Sequence, residues 1–89
     1  MPYRVFWSPD AERRYTSLLS MTSQAAADSL VKAARGIDKQ LHLNPYDLGE
    51  SRQEGIRIGF LEPLATEFEV LEDVKTVVVF NDWINQRTR

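Results

Sequence analysis

Residues 49–71 constrain the fold of this chain more than any other stretch. Ile56, Ile58 and Phe60 alternate with Arg57 and Gly59, and Leu64, Thr66, Phe68 and Val70 alternate with Ala65, Glu67 and Glu69. Successive side chains of a strand point to opposite faces, so two such runs separated by Leu61-Glu62-Pro63 predict a β-hairpin. With Phe60 paired to Leu64, the antiparallel register sets Ile58 against Thr66 and Ile56 against Phe68. It sets Arg57 against Glu67 on the other side. The hairpin is then expected to have an apolar face, which the rest of the chain must cover, and a charged face.

The segments before and after it supply the cover. Tyr3-Arg4-Val5-Phe6-Trp7 is rich in β-branched and aromatic residues and predicts a short strand with Tyr3, Val5 and Trp7 on one face. Ser8-Pro9-Asp10 starts a helix: serine accepts from free first-turn amides, proline loses nothing at the first position, and Asp10 and Glu12 complement the dipole. Ala11, Tyr15, Leu18 and Leu19 form its inward face. After a polar break at residues 20–23, a second helix is expected over residues 24–43. Its buried stripe is Ala26 or Ala27, Leu30, Ala34, Ile37 and Leu41, and Asn44-Pro45 ends it. Gly36 within it predicts close packing or a bend, since glycine costs about 1 kcal/mol there relative to alanine. The alanine-rich first half predicts close approach of the two helices as an αα-hairpin.

Residues 46–55 read as a polar loop. Thr76-Val77-Val78-Val79-Phe80 is apolar on both faces and belongs in the middle of a sheet, with residues 81–84 closing it. Residues 85–89 form a polar, basic tail expected to be poorly ordered. The fold class is α+β in the order β-α-α-β-β-β: one domain over residues 1–89, an antiparallel-rich sheet with an αα-hairpin on one face and the other face partly open.

The 89 residues suffice for a core of their own. With no cysteine, disulfides, thiolate metal sites and cysteine nucleophiles are excluded, and the lone His42 cannot supply a zinc cluster. No metal or cofactor is expected. No long apolar run and no basic-then-apolar leader is present, so the chain is expected in the cytoplasm, not in a membrane. Net charge is −2, with residues 1–40 at +2 and residues 41–89 at −4. The acidity lies in the sheet half, against the basic surface usual in proteins that bind nucleic acid through phosphates.

Taken together and in order, several pieces resemble the RelE/ParE superfamily of toxins from type II toxin-antitoxin modules, including chains called plasmid stabilisation proteins. They are the opening from Tyr3 through Ser8-Pro9-Asp10-Ala11-Glu12, the Asn44-Pro45 and Leu48-Gly49-Glu50 loop, Gly55-Ile56-Arg57, and Phe68-Glu69-Val70 before an acidic turn and Lys75-Thr76-Val77-Val78-Val79. The resemblance spans nearly the whole chain. It implies a toxin neutralised by a small antitoxin protein, with one of two activities. RelE-like members cut messenger RNA on the ribosome; ParE-like members bind and poison DNA gyrase without chemistry of their own. A non-toxic, antitoxin-binding remnant is the third reading.

For the ribonuclease, the resemblance implies Arg57 and Arg87 as catalytic candidates, with Arg52 and Arg89 as further basic groups on the open face. The family's third-strand arginine aligns with Ala65, and its basic pair after the last strand falls near Ile84-Asn85. Glu67 and Glu69 are expected beside Arg57, where carboxylates repel a phosphate backbone. Each residue has a plainer reading as well. Arg57 pairs with Glu67 across the hairpin for about 0.5 kcal/mol. His42 meets the last carbonyls of its helix. Trp83 and Trp7 stack on bases or pack against core and antitoxin. Tyr46 is left open between the two.

Overall fold

The computed structural model describes residues 2–85. A short strand, β1 (Arg4–Trp7), leads into α1 (Pro9–Ser20) and α2 (Gln24–Leu43). Four strands follow: β2 (Glu50–Gln53), β3 (Ile56–Leu61), β4 (Leu64–Leu71) and β5 (Thr76–Ile84). Both helices start at serine caps. Ser8 Oγ accepts from the Ala11 amide at 3.1 Å and Ser23 Oγ from the Ala26 amide at 3.2 Å, each satisfying an amide with no partner inside its helix.

The five strands form one sheet in the order β1-β5-β4-β3-β2, with β1 parallel to β5 and the other pairs antiparallel. Flanked on both edges, β5 has the central place that its run of valines predicts. It extends further than its apolar run, to Ile84, past an irregular step between the Phe68–Val79 and Glu67–Asn81 pairs that leaves Phe80 as the extra residue. The helices cover one face. Leu30, Ile37 and Leu41 of α2 and Ala11 of α1 are fully buried with Leu64, Phe68, Val77 and Val79 of the sheet. The predicted α2 stripe holds at Leu30, Ile37 and Leu41, with Ala33 the more buried alanine and Ala34 partly covered.

Three expectations are corrected. Residues 46–55 are not wholly loop: Pro45–Asp47 form a 3-10 turn and Glu50–Gln53 form the edge strand β2. Gly49 makes this possible, with φ of 70° and so close to β3 that a Cβ would lie 1.6 Å from the Ile58 carbonyl oxygen. The helices do not close on each other along their length; a cleft of about 310 Å³ lies between Tyr15 of α1 and Ala34 of α2. Gly36 serves the sheet, a Cβ there falling 2.4 Å from Leu61 Cδ2.

The third correction concerns the hairpin register. Glu62-Pro63, joined by a cis peptide bond, form a two-residue turn, so Leu61 rather than Phe60 pairs with Leu64. The slip of one residue sets Arg57 opposite Phe68 and Ile58 opposite Glu67, which exchanges the faces of β3. Arg57, Gly59 and Leu61 face the helices; Ile56, Ile58 and Phe60 face the open side. The helix side of β3 tolerates this because Gly59 leaves room for Leu48 and Phe68, and the 3-10 turn covers Arg57.

Candidate partner-binding face

Paired residues of a sheet share a face, so the open side can be read off in rows. One row is Gln53, Ile56, Glu69, Val78 and Phe6; the next holds Glu50, Ile58, Glu67 and Asn81; the last is Phe60, Ala65 and Trp83. Leu71, Thr76 and Arg4 form the far corner. Ala65, fully buried, sits between two aromatic neighbours. Phe6 remains 56% and Phe60 43% exposed. The face is thus a sheet of aliphatic and aromatic side chains carrying three carboxylates. Asn81 Nδ2 donates to Glu67 Oε1 at 3.3 Å, whereas Glu50 and Glu69 are exposed.

Arg57 lies on the other side. Its guanidinium donates through Nη2 to the carbonyls of Tyr46 and Gly49, both at 3.1 Å, and stacks on the Tyr46 ring 5.6 Å from its centre. It ties the loop after α2 to β3, satisfying carbonyls outside regular structure. Next to it Tyr46 and Tyr3 both donate to Glu72, at 2.7 and 2.9 Å, and Lys75 pairs with the same carboxylate. The Lys75 bond and those of the two tyrosines hold the Glu72 carboxyl down at about 2. The bond to Glu72 pushes the Tyr46 phenol up to about 12. Neither group changes charge near neutral pH, so this cluster clamps the end of the sheet and is not poised for proton transfer.

A second acidic feature lies under α1. Asp82 points to the helix side of β5, is 3% exposed, and neither carboxylate oxygen has a hydrogen-bond partner among the described residues. It lines a pocket with Asp10, Arg13, Arg14 and Ser17. Burial pushes its carboxyl up to about 6, with the Arg14 charge drawing it partly back.

Among the described residues, the sequence candidates do not converge. Glu67 and Trp83 are on the open face, two residue pairs apart along β4 and β5. Arg57 is on the helix side, and Arg52 stands at the irregular step of β2, between the Ser51 and Gln53 pairings. Arg87 and Arg89, and the tail beyond Asn85, lie outside the described residues. Trp7 belongs to the helix side, its indole donating to Asp38 at 3.0 Å. His42 uses its carbonyl to accept from the Tyr3 amide at 2.8 Å. Sequence reasoning missed the Glu72 cluster and Asp82. Only Asp82 left a signal, as the one acid inside the mostly apolar strand β5.

No family model and no curated protein matches the sequence. Solved structures do match the fold. The toxin-antitoxin complex RelBE2 from Mycobacterium tuberculosis has a chain that superposes with a TM-score of 0.64 at 18% identity, covering 94% of this chain and 99% of that one. The chromosomal ParDE toxin-antitoxin system from P. aeruginosa gives 0.65 at 18% identity over 94% and 97%. The isolated E. coli RelE toxin gives 0.62 at 11% identity over 98% and 88%. The RelBE, RelE and ParDE structures fit about equally well. With two helices on one face of a sheet that leaves the other face open, this chain has the RelE/ParE toxin fold.

Proposed function

We propose that the chain is the toxin component of a type II toxin-antitoxin pair, held by a small antitoxin and acting by binding a protein, not by cutting RNA. The fold supports the first part, since similar structures were solved as RelBE and ParDE systems. One observation carries the second: the open face presents Glu50, Glu67 and Glu69, while Arg57 is turned to the helix side and bound to carbonyls. A face that cradles RNA needs cations for phosphate and for charge developing in the transition state. Carboxylates there act against both.

None of the described helices is long and apolar enough to cross a membrane. The cytoplasm is the compartment proposed, on the cysteine-free composition. Expressed alone in a bacterial host, the chain is expected to arrest growth, and co-expression of a small protein encoded beside it to restore growth. Undisturbed growth at high levels of the folded chain would contradict the toxin reading.

A further inference from the structure

We infer that β1 is a self-pairing edge: two copies of the chain join antiparallel along residues 5–7, about a two-fold axis at Phe6, so that their five-stranded sheets become one. This holds or fails independently of the toxin reading above. β1 closes the sheet on one side, with β5 as its single strand neighbour among the described residues. Peptide groups alternate direction along a strand. The amides of Arg4 and Ser8 donate to the Lys75 and Val79 carbonyls, both at 2.8 Å, so the peptide groups of Val5 and Trp7 point away from β5. An outward row of N–H and C=O groups is a template for another strand, and proteins commonly blunt it with lysine, proline or a bulge. The opposite edge, β2, is blunted in this way, with an irregular step after Ser51 and every residue exposed and polar. β1 carries no lysine, proline or bulge, and Phe6, between its two outward peptides, is 56% exposed.

The ends of β1 set the register. The Tyr3 amide is taken by the His42 carbonyl at 2.8 Å, and Pro9 has no N–H. Val5 and Trp7 are left as the donors, and one two-fold antiparallel register uses both: Val5 of each copy opposite Trp7 of the other. A slip of one hydrogen-bonded pair in either direction brings Tyr3 or Pro9 into the ladder and loses bonds. In the favoured register Val5 and Trp7 exchange both bonds and set a β-branched side chain against an indole. Phe6 meets its own copy on the axis as the non-hydrogen-bonded pair, where side chains approach most closely. Arg4 falls opposite Ser8, so no like charges face each other within the ladder. A foreign extended segment matches only the backbone of this edge, whereas a second copy matches its side chains as well. With four residues in the strand, the interface is small and the dimer weak and reversible.

The chain has no cysteine, which makes Phe6→Cys a direct reporter. Non-hydrogen-bonded partners have Cα atoms about 4.5 Å apart, within disulfide range. Under mild oxidation this variant is expected to form a covalent dimer at least about tenfold faster than Phe60→Cys, because its thiols are held together before they react. Phe60 is 43% exposed on the same open face but belongs to β3. Sedimentation velocity of the parent chain should show a weight-average coefficient that rises with concentration. Phe6→Lys should abolish that rise by setting two ammonium groups face to face on the axis, and Phe6→Tyr should keep it. The side chain is exposed, so both variants are expected to fold, which circular dichroism melts check.

A parent that stays monomeric up to its solubility limit would overturn the inference, and is also the result if the edge serves a strand of a different protein. Equal oxidation rates for Phe6→Cys and Phe60→Cys, or undiminished association of folded Phe6→Lys, would overturn it as well.

Discussion

Asp82 is the residue where folding and chemistry disagree most. Its carboxyl is raised to about 6 by burial, while an unfolded aspartate titrates near 3.9. The folded state therefore holds this proton more tightly than the unfolded one. The cost of burying the charge is absent below pH of about 4, grows as pH rises toward 6, and is complete above it. Asp82→Asn should raise stability by about 2 kcal/mol at pH 7.5 and by little at pH 4, as read by urea denaturation. An unchanged midpoint at pH 7.5 would mean that Arg14 or water already satisfies the carboxylate. Glu72 has the opposite sign. Held at about 2 by Lys75, Tyr46 and Tyr3, it contributes stability above the unfolded carboxyl range that is lost as pH falls toward 2. Glu72→Gln should lower the melting temperature at pH 7 and converge with the parent near pH 2. It should also bring the Tyr46 phenol down from about 12, which ultraviolet titration detects. The role of Glu72 was not legible in the sequence, because Tyr3 and Glu72 are 69 residues apart and meet only through the β1–β5 crossover.

Elements were legible where their signals are local. α2 was recovered over its full length because its cap, its apolar spacing and its terminating Asn44-Pro45 act within a few residues. β2 was not, because Glu50–Gln53 is exposed throughout and carries no apolar alternation to mark it. The hairpin itself was legible but its register was not. Alternation survives a slip of one residue, and only the length of the turn decides between the two pairings. That slip converts Arg57 from a partner of Glu67 into the tie that holds the loop after α2. Arg57→Ala should therefore cost about 2 kcal/mol, the range for hydrogen bonds from a charged donor, instead of the half kilocalorie of a surface pair. Chemical denaturation of the variant checks this, and a loss within the error of the parent would return Arg57 to the surface. Gly49→Ala should be worse tolerated still, since its Cβ would overlap the Ile58 carbonyl. Its soluble, cooperatively melting product at parental stability would show that the β2–β3 pairing is not as described.

At the scale of the whole molecule, the split between a positive first half and a negative second half becomes a difference between two layers. Of the nine cations among the described residues the helices carry five, Arg13, Arg14, Lys32, Arg35 and Lys39, and the open sheet face carries Glu50, Glu67 and Glu69. The fold was legible from the order of weak motifs along the chain. The layer to which each charge belongs was not, because it depends on the register of β3 and on the bulge in β5. An acidic, apolar face on a RelE/ParE toxin fold is the ground on which we propose a toxin that docks on protein. The most direct test adds the folded chain to a translating ribosome extract and maps new 3′ ends on the messenger. The account predicts an intact messenger at protein concentrations that arrest growth in cells. Cuts within codons that disappear in a folded Arg57→Ala variant would contradict it, and would place the chain among ribonucleases.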